Sequence, residues 1–290
     1  MSPTEDPRLK RIALLAVIAC LVVPQAFAGP WLKSLPAAQK QARDKREIIY
    51  VDLFADWCGW CHQLEQQVFP SETFQKATSD KILLRLNTED GADGTKLAQQ
   101  YQVASLPTSL LVTPDMVVVG MIKGFYPAPQ LVEAIKEVEK NYADFQKRAG
   151  NEGAIATDYQ KRLDLAREFR SRFAFPQASS RFKKLTAEKT VPPSVRDQAY
   201  FELALTQYLD KKLDDSMKTI RQFSTVQSAG ENYERSRVLA SEIYAQQGNI
   251  LGAVNELKNF KAKFPKSPMM MQVNIILPQL EQRLAAGRVQ

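Results

Sequence analysis

The stretch Ile48-Ile49-Tyr50-Val51-Asp52-Leu53-Phe54-Ala55-Asp56-Trp57-Cys58-Gly59-Trp60-Cys61-His62 decides how this chain is read. Its first half is a nearly continuous apolar, β-branched run, the pattern of a central strand buried on both faces. One acid, Asp52, interrupts it. Its second half holds two of the chain's three cysteines, its only histidine and two of its three tryptophans. The cysteines therefore sit where a strand ends. Cys61 to Phe69, with Leu64 and Val68 at helical spacing, predicts a helix that Pro70 stops.

Two cysteines separated by two residues can bind a metal, carry a haem, or cycle between dithiol and disulfide. A structural zinc site usually takes four Cys or His ligands, and here only Cys58, Cys61 and His62 are at hand. No metal site is expected. Cys-x-x-Cys-His is also the attachment motif of c-type haem, with His62 as the iron ligand. Against haem stands the buried strand that leads into the motif. Dithiol exchange suits that position. An attacking thiolate has to be exposed and stabilised, and the backbone N–H groups of a helix start point at Cys58. Cys61, one turn on, is placed to resolve the mixed disulfide. Its proton needs an acceptor, and Asp52, six residues before Cys58, is the candidate. The competing reading of Asp52 is a strand-edge acid facing water. An acid buried in an apolar run without a task would be costly.

Outward from the motif, Leu32 to Lys45 reads as a helix before the strand. Ser71 caps a short helix running to about Asp80. Lys81 to Asn87 is a second strand and Thr95 to Tyr101 a helix. Ser109 to Thr113 and Met116 to Ile122 read as a hairpin across Pro114-Asp115. Pro127 to Asn141 is a further helix. Strand–helix alternation closed by a hairpin and a helix makes an α/β unit.

Val51 to Cys61 resembles the active-site region of the thioredoxin superfamily. Arg85-Leu86-Asn87 is similar to its second strand, Leu106-Pro107-Thr108 to its cis-proline loop, and Lys123-Gly124-Phe125 to its late glycine. The resemblance covers residues 46–140 and implies a thioredoxin fold, a central mixed sheet flanked by helices. It implies Cys58 as nucleophile, Cys61 as resolving thiol and a Cys58–Cys61 redox disulfide. Asp52 is then the buried proton acceptor, with Arg85 in place of the usual lysine beside it. Pro107, lacking an N–H, leaves the Leu106 backbone free to pair with an extended substrate. Trp57, Gly59, Trp60, Leu106, Thr108 and Gly124 would line the substrate groove, and His62 would modulate Cys61. Trp60 stands where thioredoxins have proline. That, with His62 and the break at Phe69-Pro70, is more similar to periplasmic proteins of the DsbD C-terminal type. No cofactor beyond the dithiol is implied. The expected partners are a protein disulfide substrate and a protein thiol donor. Gly59-Trp60 offers no charge to stabilise a thiolate strongly, which favours reduction or isomerisation over strong oxidation.

Beyond Tyr142 no strand is expected. Gly150-Asn151-Glu152-Gly153 marks a boundary, and 143–153 reads as a linker between a thioredoxin-like unit at 46–142 and an all-α unit at 154–290. Ala204, Tyr208, Ser216, Ile220 and Phe223 recur as Ala240, Tyr244, Ala253, Leu257 and Phe260, at offsets of 36 to 38 residues. Ala166, Ala178, Phe182 and Leu185 fit one copy earlier. The pattern resembles tetratricopeptide repeats, stacked helix pairs that commonly bind proteins. A plain helical bundle is the alternative. If this unit is the business end, the chain is a protein-binding scaffold or chaperone-like module in which the cysteines are secondary.

The chain has 290 residues and a net charge of +7. Its charges are dispersed, and no nucleic-acid motif is present, so no nucleic-acid partner is expected. Arg8, Lys10 and Arg11 precede the apolar run Ile12 to Val23, which is short for a membrane span. Ala26-Phe27-Ala28 follows as a cleavage site, so 1–28 reads as a secretion signal, with 29–45 as an N-terminal helical segment. The protein is then periplasmic or secreted and keeps no membrane span. A lipid anchor at Cys20 and an uncleaved anchor are the alternatives.

Overall fold

The computed structural model describes residues 30–287. The leader expected at 1–28, Gly29 and Cys20 lie outside the described residues. After helix α1 (Leu35–Lys45), strand β1 (Ile48–Phe54) runs through the middle of a mixed sheet. β2 (Lys81–Asn87) pairs with it in parallel, with Asp52 opposite Arg85. β3 (Thr108–Val112) pairs with its other side in antiparallel, and β4 (Val118–Lys123) completes a hairpin with β3. The strand order is β2-β1-β3-β4.

Alternate residues of β1 serve opposite faces. Ile49, Val51 and Leu53 pack beneath α1 and α4 (Asp93–Gln100), with Ala38, Ala42 and Leu97. Tyr50 packs on the other face, under α3 (Glu72–Ala77) and α5 (Ala128–Gly150), with Phe74, Leu131 and Ile135. That face also takes Leu64 and Val68 from a π-helical turn, Leu64–Val68, which continues the short α2 (Gly59–Gln63). Gly120 lets α5 approach β4: a Cβ there would lie 2.3 Å from that of Val138. Two-faced burial explains why β1 reads as continuous hydrophobic sequence. The sheet and its covering helices make a thioredoxin fold.

Three expectations are corrected. Leu32 does not start a helix. It bridges Leu84 of β2, and α1 begins at Leu35 behind Ser34, whose hydroxyl caps Ala37 N–H. The helix after the cysteines is not uniform, because Phe69 N–H reaches Leu64 O through the π turn. The stretch read as a linker at 143–153 is mostly helix. α5 runs on to Gly150, because Phe145 on its inner side is buried against Phe169, 4.8 Å between ring centroids.

The remainder is helical pairs: α6 (Tyr159–Ser171) with α7 (Phe175–Ala187), α8 (Pro193–Leu209) with α9 (Leu213–Val226), and α10 (Glu231–Gln246) with α11 (Ile250–Lys263). A further helix, α12 (Met270–Ala286), follows. Each pair turns through one left-handed residue: Phe173 (φ 59°), Lys211 (φ 60°) and Gly248 (φ 78°). After each comes the same backbone hydrogen bond: Ala174 N–H to Phe169 O, Lys212 N–H to Gln207 O and Asn249 N–H to Tyr244 O, all 2.9 Å. The small residues Ala166, Ala178, Ala204, Ser216, Ala240 and Ala253 are all buried. Ser216 Oγ donates to Ala204 O across one crossing at 2.7 Å, which shows how closely the helices approach.

The two units meet at β4. Val118 N–H donates to Arg172 O at 2.8 Å, and Arg172 Nη1 donates to Val118 O and Val119 O at 3.2 and 3.1 Å. The Arg172 guanidinium also stacks over Phe145, 4.6 Å from its centroid, and Phe173 packs edge-on against Tyr101. Val118 pairs with Val112, which pairs with Ile49 at the start of β1. Cys58 follows the other end of β1. The helical unit thus joins the end of the sheet opposite the cysteines. Among the described residues no helix is long and apolar enough to cross a membrane.

Candidate active site around Cys58 and Cys61

β1 delivers Phe54 and Ala55 to the sheet edge, and the chain turns at Asp56-Trp57 into Cys58, the N-cap of α2. Cys58 and Cys61 are joined as a disulfide, with Cα atoms 5.3 Å apart. Cys61 N–H donates to Cys58 Sγ at 3.2 Å. Cys61 is fully buried and Cys58 nearly so, packed with Ala55, Phe54 and Leu106.

Leu106 comes to the cysteines because the β3 start lies beside the end of β1, with Thr108 opposite Leu53. The Leu106–Pro107 peptide bond is cis. Thr108 is buried, and its hydroxyl donates to Ser105 O at 2.7 Å. Gly124, at the end of β4, donates its N–H to Pro107 O at 2.8 Å, with φ +92°. Glycine adopts that backbone without steric cost.

Asp52 of β1 is 0% exposed, so the reading as a water-facing edge acid is excluded. Its Oδ2 accepts from Arg85 Nε at 3.0 Å, while Oδ1 has no hydrogen-bond partner. Arg85 also pairs with Glu65 and stacks over Phe54, 4.1 Å from its centroid. Burial pushes the Asp52 carboxyl up to about 6; the Arg85 charge and hydrogen bond pull it down, and the Glu65 charge adds to the rise. A buried carboxyl with one free oxygen and a proton affinity near neutrality is suited to take and return a proton.

Trp57 and Trp60 are 70% and 56% exposed on either side of the pair. Trp57 Nε1 donates to Glu89 at 2.8 Å, which fixes its ring, and Trp60 leans on Phe125 at 5.1 Å between centroids. Gly59 is exposed, with open space where a Cβ would be. His62 sits at the helix surface, its Nε2 2.9 Å from Asp56 O and its Nδ1 3.8 Å from Glu65. The site residues expected from sequence are thus gathered at one end of the sheet. Sequence reasoning missed Glu65, Glu89 and Phe125. Glu65 stands three residues after His62, on the same helix face, but its contact with Arg85 depends on strand pairing that the sequence does not spell out. No group of three or more His, Cys, Asp or Glu side chains among the described residues could hold a metal ion.

A family model for a thioredoxin-like domain matches residues 35–139. A thiol:disulfide interchange protein DsbD of Pseudomonas fluorescens is 38% identical over 82 residues, 28% of this chain and 14% of that protein. The DsbD of Yersinia enterocolitica is 32% identical over 110 residues, 38% of this chain and 17% of that protein. The chain therefore spans less than a fifth of the length of these relatives. The solved C-terminal domain of Neisseria meningitidis DsbD, in its oxidised form, aligns over 35% of this chain and 90% of its own, with a TM-score of 0.32 at 16% identity. Residues 35–139 are a thioredoxin-like domain, and the described chain after it is helical.

Proposed function

We propose that this chain is a periplasmic or secreted thiol–disulfide oxidoreductase that reduces or isomerises disulfides of exported proteins, while its helical unit binds a partner protein. The observation that carries the reading is the Cys58–Cys61 disulfide after the end of β1, the strand that also carries a buried Asp52 with a free Oδ1. In the reduced protein the Cys58 thiolate attacks one sulfur of a substrate disulfide. A Cys58–substrate S–S bond forms, the substrate's own S–S bond breaks, and the departing sulfur takes a proton. Cys61 gives its proton to Asp52 and attacks Cys58 Sγ. The Cys58–Cys61 bond forms as the mixed disulfide breaks, so two electrons have passed from the dithiol to the substrate. A protein dithiol donor restores the pair by the same exchange run in reverse. Leu106, held against the cysteines, offers its backbone to an extended substrate. Trp57 and Trp60 offer apolar surface beside it. The joint at the far end of the sheet leaves this face open while a partner occupies the helices.

The test is thiol labelling of the purified protein against a disulfide substrate. The wild type cycles, Cys58→Ser abolishes turnover, and Cys61→Ser accumulates mixed disulfides through Cys58. A wild type that does not cycle ends the proposal. A reduction potential as oxidising as about −120 mV would overturn the reducing or isomerising direction.

A further inference from the structure

The packing rhythm of the helical unit breaks at one place. α6 packs on α8 and α8 on α10, so the first helices of successive pairs stand side by side. α12 does not continue the row and packs chiefly on α11. The gap between α10 and α12 holds a cavity of about 260 Å³, with apolar lining from Val238, Leu257, Ile276 and Leu280 and polar lining from Tyr208, Ser241, Gln246 and Gln279. That is below the roughly 300 Å³ at which pockets for small-molecule ligands begin, and suits a single side chain.

Glu242 of α10 lines the same cavity. Several other acids of the unit are ion-paired: Glu188 with Arg162, Glu202 with Arg167, Glu256 with Arg237. Glu242 makes no such pair among the described residues, and burial alone pushes its carboxyl up. Arg283 of α12 lines the cavity too, but does not reach the carboxylate. A cleft with apolar walls on one part and a carboxylate without an ion pair on another fits a long aliphatic stem ending in a cation.

We propose that this cavity is a socket for a lysine or arginine side chain of the partner polypeptide, its stem against the apolar walls and its charged head on Glu242. The proposal rests on the reading that the helical unit binds a partner, and is independent of the dithiol chemistry. Its test uses the full chain and two blocked tripeptides, acetyl-Ala-Lys-Ala-amide and the same peptide with norleucine, which has the stem without the ammonium. Amide chemical shifts follow binding. The lysine peptide is expected to shift residues of α10 and α12 around the cavity and to bind at least about tenfold more tightly than the norleucine peptide, the usual worth of a hydrogen bond to a charged group. Glu242→Gln is expected to erase that preference while leaving the thermal melt and the thiol-labelling rate unchanged. Equal binding of the two peptides, shifts only elsewhere, or no shifts would overturn it. Binding that emerges only in Arg283→Ala would also overturn it, by showing that the chain's own arginine fills the socket.

Discussion

Asp52 in the sheet unit and Glu202 in the helical unit are both buried carboxylates, yet their surroundings differ in kind. Glu202, on α8, faces two cations from α6: Arg167 Nε at 2.8 Å and Arg170 Nη2 at 3.0 Å. Arg167 also pairs with Asp164, so two positive charges balance two acids. Asp52 shares a single Arg85 with Glu65, so one positive charge serves two acids. Neutralising a buried acid fully makes it a fastener between helices. Neutralising it by half leaves it able to exchange a proton. The first arrangement fastens helices together, and the second is the one that the proposed proton transfer from Cys61 needs.

Breaking the contrast by substitution should give opposite signs. Glu202→Gln removes the acid that ties α6 to α8 and is expected to cost about 3 kcal/mol, the low end for a broken buried pair because both arginines are partly exposed and Arg167 keeps Asp164. Asp52→Asn should do the reverse. With its carboxyl raised to about 6 in the folded chain and near 4 when unfolded, ionising Asp52 penalises the fold. At neutral pH, removing that penalty is expected to add about 3 kcal/mol to the oxidised protein, while slowing the step in which Cys61 gives up its proton. Urea melts at pH 7 check both signs. A loss of stability in Asp52→Asn would mean that Arg85 needs Asp52 more than burial penalises it.

The pH dependence sharpens the same point. A raised carboxyl is most compatible with folding when protonated, so its contribution is intact below about pH 4 and is lost as pH rises through about 6. Melts of wild type and Asp52→Asn should therefore coincide near pH 4 and separate progressively to pH 7, the variant being the more stable. Curves that stay parallel over that range would place the titration elsewhere.

Much of this was legible in the sequence, and for identifiable reasons. β1 and β2 fall at Ile48–Phe54 and Lys81–Asn87 as the apolar runs predict, because strands buried on two faces are apolar at nearly every position, Asp52 and Arg85 being the interior exceptions. The recurrence of Ala204 and Phe223 as Ala240 and Phe260 was readable because helix crossings need small residues and cores need large ones at fixed spacing. α5 runs past the expected end at Asn141, which the sequence does not signal because Tyr142 to Gly150 is polar on its outer face and the partner of Phe145 lies on another helix. The Arg85–Glu65 pair depends on the register of β2 against β1 and on a π turn, which the spacing of side chains does not reveal.

The three helix-pair turns carry a finer comparison. Phe173, Lys211 and Gly248 hold the same left-handed backbone at equivalent places, yet only glycine does so without steric cost. Phe173 is compensated by its packing on Tyr101 at 4.8 Å, where the helical unit meets the sheet unit. Lys211 is exposed, and its side chain has no ion pair or hydrogen bond among the described residues. The strain at this position should therefore be recoverable at one turn and not at the other. Lys211→Gly is expected to stabilise the chain by about 1 kcal/mol, and Gly248→Ala to destabilise it by a similar amount. Phe173→Gly, by contrast, should lose stability despite relieving the backbone, because the aromatic contact between the units goes with it. Thermal melts of the three variants read the signs. A Phe173→Gly variant as stabilised as Lys211→Gly would show that Phe173 contributes nothing to joining the units.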